Sequence, residues 1–323
     1  MTLTFLGTSA ACPTVQRNTS CIALHREGET MLFDCGEGTQ RQMMRYGVSF
    51  AFQEIFFTHY HADHFLGVIG LVRTMGLQDR SAPLTLYGPK GAKDVLGQAL
   101  SLGVERSRFP VTIVEVNPCD VLERPEYDIR VFETRHRAET VGYALVEHDR
   151  LGRFNPERAR ELGVPEGPLW GKLHKGETVT TPEGRSVSPA DLVGAPRPGR
   201  TVVYSGDTRP HPPVVLAAQG ADLLVHEATF SDLELPRARE TGHSTAREAA
   251  EVAQQAGVKR LVLTHISPRY ALDVSDLMTE ASTVFPDVTV AKDGMEVDVP
   301  FGDGSGEKGA GGRERGAVSR EQG

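Results

Sequence analysis

The chain has 323 residues, of which 39% are apolar and 24% charged, with a formal net charge of −8. That length suits one large core or two modest ones, and the composition is that of a globular protein rather than a disordered or fibrous one. No apolar run approaches the roughly 20 residues needed to cross a bilayer, and the acidic balance, taken alone, argues against a nucleic-acid partner.

The N-terminus, Met1-Thr2-Leu3-Thr4-Phe5-Leu6-Gly7, has no basic leader and breaks at Gly7. It reads as a first strand rather than a signal peptide, so a cytoplasmic location and no membrane association are expected. Short apolar runs then alternate with helical stretches, predicting strands at 3–6, 22–24, 31–34, 55–58, 84–87, 111–116, 129–134, 142–146, 202–205, 223–226, 261–264 and 288–291. Helices are predicted near 64–75, 90–102, 244–256 and 273–284. The third carries the clearest signals: a capping box at Ser244-Thr245-Ala246-Arg247-Glu248 and a closing Gly257. This texture covers 1–148 and 201–301 and predicts an α/β catalytic domain of stacked sheets and covering helices. The four cysteines, Cys12, Cys21, Cys35 and Cys119, have no zinc-knuckle spacing and read as free thiols, mostly buried.

Residues 149–200 are different: rich in Pro and Gly, with little apolar periodicity, they read as an insertion that leaves the core and returns to it. From Arg150 to Arg200 nine Arg or Lys stand against six Asp or Glu, so the insertion is basic although the chain is acidic. The 302–323 tail is Gly-rich, charged and non-periodic, and is expected to be disordered.

Four predicted strands run directly into a potential metal ligand: His59, His136, Asp207 and His265. In layered α/β proteins strand ends form one rim, so these groups can converge there. His59-Tyr60-His61-Ala62-Asp63-His64 adds four ligating groups in six residues. In an extended loop His59 and His61 face one side and can bind one ion, while Asp63 and His64, at the next helix start, can address a second. Imidazole and carboxylate donors suit zinc, with manganese or another divalent ion as alternatives.

With the later His136, Asp207 and His265, this His-x-His-x-Asp-His cluster resembles the signature of the metallo-β-lactamase superfamily. Within it, the chain is similar to the ribonuclease Z family of tRNA 3′-processing endonucleases. That likeness runs through Phe5-Leu6-Gly7-Thr8, Phe33-Asp34-Cys35-Gly36-Glu37-Gly38-Thr39-Gln40, Tyr87-Gly88-Pro89, Ser205-Gly206-Asp207-Thr208-Arg209 and Thr264-His265-Ile266-Ser267-Pro268-Arg269-Tyr270. The most diagnostic segments are His226-Glu227-Ala228-Thr229-Phe230 and His243-Ser244-Thr245.

The resemblance implies an αββα sandwich with an inserted exosite arm and two zinc ions per chain. His59, His61 and His136 would hold the first, Asp63, His64 and His265 the second, and Asp207 would bridge them. It also implies cleavage of the 3′ trailer from precursor tRNA, leaving a 3′-OH on the tRNA and a 5′-phosphate on the trailer. Asp63 is the candidate proton acceptor, His243 the candidate general acid and Glu227 the carboxylate that orients it. His226 is a further candidate, beside the ligands or at the leaving group. The segment Gly163-Val164-Pro165-Glu166-Gly167-Pro168-Leu169-Trp170 resembles the family's arm with its Gly-Pro element. Arg150, Arg153, Arg158, Arg160, Lys172 and Lys175 are its candidate RNA contacts, and Trp170 would either pack inside it or stack on RNA. Such an arm commonly serves tRNA held by a second subunit, so a homodimer is expected. The family's Pro-x-Lys-x-Arg-Asn loop reads here Pro13-Thr14-Val15-Gln16-Arg17-Asn18; Val15 stands where the family has lysine, and Arg17 remains as a substrate-binding candidate. The competing reading is another hydrolase of this superfamily acting on a small phosphodiester or thioester.

Overall fold

The computed structural model describes residues 1–104 and 107–302; the tail expected to be disordered lies outside the described residues from 303 onward. The strands, in chain order, are β1 (Thr2–Gly7), β2 (Cys21–Arg26), β3 (Glu29–Phe33), β4 (Glu54–Phe56), β5 (Leu84–Gly88), β6 (Val111–Glu115), β7 (Val121–Glu123) and β8 (Tyr127–Glu133). They continue as β9 (Val141–Glu147), β10 (Val179–Thr180), β11 (Ser186–Val187), β12 (Thr201–Tyr204), β13 (Leu223–Glu227), β14 (Leu261–Thr264), β15 (Val288–Val290) and β16 (Glu296–Asp298). Every strand predicted from the sequence is present. The apolar runs of β1, β9, β12, β13 and β14 are buried on both faces, the condition under which a strand reads as a continuous apolar segment.

Two seven-stranded mixed sheets form, in the orders β16-β1-β2-β3-β4-β5-β6 and β15-β14-β13-β12-β9-β8-β7. Between them lies one apolar cluster, which includes Phe5, Leu24, Phe56, Ile129, Tyr143, Val225 and Val262. The outer face of the first sheet packs on helices including Gly67–Leu77 and Ala92–Ser101, through Leu32, Ile55, Leu71 and Leu96. The outer face of the second packs on Ala246–Ala256 and Ser275–Ser282, through Val203, Leu224, Ala249 and Leu277. These four layers are the metallo-β-lactamase αββα sandwich. The capping box at Thr245 and Glu248 and the left-handed Gly257 bound Ala246–Ala256 as expected. Helix Thr39–Tyr46 was not anticipated; it starts at a left-handed Gly38 with no side-chain cap, so the usual start signal is missing.

The strand directions place the site. β12, β13 and β14 are parallel; β9 is antiparallel to β12, and β8 is antiparallel to β9. β8, β12, β13 and β14 therefore all run the same way and end on one rim. The end of β4 joins it across the sandwich: Val141 donates its N–H to the Thr58 carbonyl at 3.0 Å, and Tyr143 donates its hydroxyl to the Phe57 carbonyl at 2.7 Å.

The insertion leaves after β9 and returns at β12. Its two legs pair in antiparallel fashion, Arg150 with Arg197 and Phe154 with Val193. Beyond them Ala159, Leu162, Val164, Leu173, Val179, Val187 and Leu192 form a small core, with Phe154, Leu169 and Trp170 against it. The region is thus an organised subdomain carrying short helices Pro156–Glu161 and Pro168–His174, not a plain loop. Trp170 belongs to its packing: the indole N–H donates to the Val164 carbonyl at 3.1 Å and the ring lies 5.3 Å from that of Phe154. All four cysteines are free, but only Cys21 and Cys35 are buried, while Cys12 and Cys119 sit on exposed turns.

Candidate active site

The rim gathers seven candidate ligand residues. His59, His61, His136 and Asp207 offer ligand atoms within 4.8 Å of one another, and so do Asp63, His64 and His265. His59 Nε2 is 3.0 Å from His61 Nδ1, which is 3.2 Å from His136 Nε2; His64 Nε2 is 3.2 Å from His265 Nε2. Asp207 lies between the sets, with Oδ2 3.6 Å from His59 and 3.4 Å from His64, and Oδ1 3.4 Å from His265.

Local backbone explains the convergence. Asp207 follows Gly206 at φ 59°, where an added Cβ would lie 2.7 Å from Thr58. Only glycine lets the β12 end approach the β4 end so closely. His265 itself adopts φ 57°, and Asp34 φ 58°, left-handed conformations that are uncommon for non-glycine residues.

Four of these histidines, His59, His64, His136 and His265, are fixed through the other ring nitrogen. His64 Nδ1 donates to Asp34 Oδ2 at 2.8 Å; Nδ1 of His265 meets Thr229 Oγ1 at 2.9 Å, and that of His59 meets Thr58 Oγ1 at 3.1 Å. His136 Nδ1 donates to the Gly242 carbonyl at 2.8 Å. Such partners orient the free nitrogens inward. Asp34, fully buried, also accepts from the Thr58 N–H and hydroxyl and from Tyr204 Oη. Sequence reasoning placed Asp34 in a motif but gave it no role; its position one residue past β3 was the available signal.

The donors suit a divalent cation. Ligand atoms about 2.0–2.1 Å from a tetrahedral ion lie roughly 3.3–3.4 Å apart, close to the nitrogen–nitrogen spacings here. Burial and the neighbouring histidines push His59 well down and His61 down, toward the neutral imidazole a ligand needs, whereas at His64 the charges of Asp207, Asp34 and Asp63 outweigh burial and push the imidazole well up. Burial alone would raise Asp63 and Asp207, but the nearby histidines outweigh it and keep both carboxylates ionised. Asp207 Oδ1 is buried without a hydrogen-bond partner among the described residues, an arrangement that is costly unless a cation faces it.

His243 sits at the edge of this cluster. Its Nδ1 donates to Glu227 Oε1 at 2.9 Å and lies 3.9 Å from Asp207 Oδ2. Glu227 is sealed, and it also accepts from the N–H groups of Thr208 at 2.8 Å and Ser244 at 3.1 Å and from Thr229 Oγ1 at 2.6 Å. It therefore ties the loops after β12 and β13 to the loop of His243. Burial would lower His243, but the Glu227 charge outweighs it and holds the imidazolium up to about 9. Arg209 was also passed over as a site residue; its guanidinium donates to the His243 carbonyl at 2.5 Å and pairs with Glu248 of the capping box.

Several expected contacts lie elsewhere. His226 is fully buried and shares the face of β13 that carries Leu224, under the helices, while Leu223 and Val225 face the other sheet. Strand alternation thus turns it away from any leaving group. Arg17 is buried, with Nη1 donating to Thr8 Oγ1 at 2.8 Å and to the Ala291 carbonyl at 2.6 Å. It braces its loop from inside instead of meeting substrate, whereas Val15 is 95% exposed at the loop's tip. Arg158 and Arg160 pair with Glu161 and Glu166. Arg150 lies half-buried at the root of the insertion, while Arg153, Lys172 and Lys175 are exposed on it. Among the described residues no helix is long and apolar enough to cross a membrane.

Comparison with known proteins gives this geometry its relatives. Residues 1–152 match the family described as anti-Pycsar protein Apyc1, and residues 180–266 match the β-lactamase superfamily domain. Ribonuclease Z of Gemmatimonas aurantiaca is 57% identical over 297 residues, covering 91% of this chain and 95% of that protein. Ribonuclease Z of Haloferax volcanii is 52% identical over 308 residues, 95% of this chain and 97% of its own length. The crystal structure of the short form of human tRNase Z superposes with a TM-score of 0.67 at 30% identity, covering 93% of this chain and all (100%) of that one. The metallo-β-lactamase fold protein YhfI of Bacillus subtilis, at 21% identity and TM-score 0.65 over 92% of this chain and 98% of its own, shares the fold. With two ligand sets on the rim of an αββα sandwich and relatives of this identity along nearly its whole length, the chain belongs to the ribonuclease Z family of endoribonucleases.

Proposed function

We propose that the chain is a cytoplasmic, zinc-dependent endoribonuclease that removes the 3′ trailer from precursor tRNA, leaving a 3′-OH on the tRNA and a 5′-phosphate on the trailer. One observation carries the reading: the two ligand sets share their rim with His243, 2.9 Å from Glu227 and 3.9 Å from Asp207. The relatives' names, ribonuclease Z and tRNase Z, support precursor tRNA as the substrate.

His59, His61 and His136 would hold one zinc and Asp63, His64 and His265 the other, with Asp207 shared. When bound, such a pair lowers the pKa of water toward about 7 and offsets charge on the phosphoryl oxygens. Asp63 accepts the proton of the attacking water; Ala11 N–H, donating to its Oδ2 at 2.7 Å, fixes the carboxylate. As the bond from phosphorus to the 3′ oxygen breaks, His243 gives its proton to that oxygen. Glu227 keeps the imidazolium charged and aimed until it does so. The 149–200 insertion serves as the tRNA-binding arm, with Arg153, Lys172 and Lys175 as backbone contacts. The working unit is a homodimer in which one subunit's arm holds tRNA for the other's site.

The test incubates purified protein with a precursor tRNA carrying a 3′ trailer, with zinc or with chelator. Zinc-dependent release of a 5′-phosphorylated trailer is expected. Cleavage of a nitrophenyl phosphodiester without trailer release would favour the small-substrate reading instead. Sedimentation at micromolar concentration checks the dimer, and a monomer fully active on precursor tRNA rules it out.

A further inference from the structure

We propose that Phe301 is a positioning residue that sets the stance of the 149–200 arm, and through it the affinity for precursor tRNA; this rests on the reading of that insertion as the tRNA-binding arm. The ring of Phe301 lies between two guanidinium groups. Arg150 Cζ is 3.4 Å from the ring centroid and Arg200 Cζ is 3.7 Å from it. These arginines mark the two legs of the arm's root. Arg150 is on the outgoing leg, where its backbone exchanges hydrogen bonds with Arg197 at 2.8 and 2.9 Å. Arg200 is where the returning leg meets β12, and its guanidinium is anchored to Glu147 at 2.7 and 2.8 Å.

Phe301 comes from neither leg. It follows β16, the edge strand of the opposite sheet, which pairs with β1. One ring from the first sheet is thus gripped by both ends of an insertion that leaves the second. Two like charges brought this close would repel, but the electron-rich faces of an aromatic ring can accept both. Beside the ring a cleft of about 720 Å³ separates root from body, lined by Arg26, Glu126, His148, Leu151 and His174 as well as Phe301. Space at a hinge permits tilt, and a ring wedged at one end of that space limits it. A fixed tilt means less motion to freeze when tRNA binds, which improves affinity without new contacts.

The experiment uses the full chain with Phe301→Ala, Phe301→Leu and Phe301→Tyr. Tyr keeps the aromatic face, and Leu keeps apolar bulk without it. For precursor tRNA, the Ala and Leu variants are expected to raise KM about tenfold, from the usual strength of two such contacts, with kcat within about twofold. Tyr should behave as wild type, and a nitrophenyl phosphodiester should be cleaved equally by all four proteins. Trp170, the only tryptophan, lies in the arm, so its time-resolved anisotropy reports arm motion directly. It should decay faster in the Ala and Leu variants. Parallel losses on both substrates together with a lower melting temperature would mean that the ring only fills space, and would overturn the inference. So would unchanged KM and anisotropy, or full rescue by Leu. Hydroxyl-radical footprinting of the wild-type protein with precursor tRNA tests the arm reading by itself. Protection of residues 150–198 sustains it; no protection there removes the arm reading and this inference with it.

Discussion

At the rim, His59, His64, Asp207 and Glu227 are sealed from solvent, and each is held by hydrogen bonds or charges from several strand ends. In the arm, Arg153, Lys172 and Lys175 stand in solvent, and the subdomain rests on seven buried apolar side chains. The two regions answer to different physics. A buried cluster of imidazoles and carboxylates is stable only if every member has its partner, so removing one destabilises the rest. A solvated basic surface works by summed, screened attractions, each small. Loss of a metal-ligand candidate at the rim should therefore be large and indifferent to substrate, whereas damage in the arm should be modest and confined to the substrate large enough to reach it.

The largest effect is expected for Asp207→Ala, which removes the carboxylate between both ligand sets. Turnover of precursor tRNA and of a nitrophenyl phosphodiester should both fall by more than about 10³-fold, with loss of bound metal by elemental analysis. Retained metal and a loss confined to tRNA would break the contrast at its strong end. His243→Ala comes next. Cleavage of RNA should drop by about 10²–10⁴-fold, the usual contribution of a general acid. Metal content should stay near that of wild type, because the tie from His243 runs to Glu227. Nitrophenolate leaves readily without a proton, so the small ester should suffer much less. An equal loss on both substrates would assign His243 to ligation rather than proton transfer.

Replacing residues 150–198 by a short Gly/Ser link probes the other side. Arg150 and Arg197 are backbone neighbours, so a short link can close the gap. kcat/KM on precursor tRNA should fall by about 10- to 100-fold and its dependence on salt should flatten, while the small ester is spared. A preserved salt slope would place the phosphate contacts on the sandwich instead.

The same contrast explains what the sequence revealed. The rim was legible because its strands are apolar runs and its candidate ligands follow them directly; His136, Asp207 and His265 could be picked out once their positions were joined to the tight cluster at His59, His61, Asp63 and His64. What escaped was decided by facing and by solvent. His226 and Glu227 are adjacent in a shared motif, but alternation along β13 sends one under the helices and the other into the site. Arg17 reads as a surface cation and is buried against Thr8 and Ala291. Strands β7 and β16 have three residues each at sheet edges, too short for a periodic pattern. The arm's core draws side chains from segments that are individually non-periodic, so composition disclosed the insertion but not its order.

The smallest expected effect on turnover lies where the regions join. Glu147 accepts from Arg26 Nε at 2.8 Å and from Arg200 Nη2 at 2.7 Å, and its side chain is 3% exposed. Burial raises its pKa, but Arg200 and Arg26 outweigh that and hold it down to about 2, against an ordinary 4.5. Because the folded value is the lower one, the stabilisation is complete above about pH 4.5 and is lost as pH falls toward 2. Its full size is about 3 kcal/mol by the usual conversion of a pKa difference. Glu147→Gln should leave kcat on either substrate almost unchanged at pH 7 and 25 °C, yet lower the unfolding free energy by about 2–3 kcal/mol in urea titrations. At pH 3.5 the gap between variant and wild type should narrow by about 1 kcal/mol, because unfolded wild type then gains protons that the variant cannot. A gap that stays constant with pH would mean that the two arginines do not hold Glu147 as a charge. The junction would then be secured by its backbone pairs and by the ring of Phe301, and the arm would be still less dependent on the electrostatics that govern the rim.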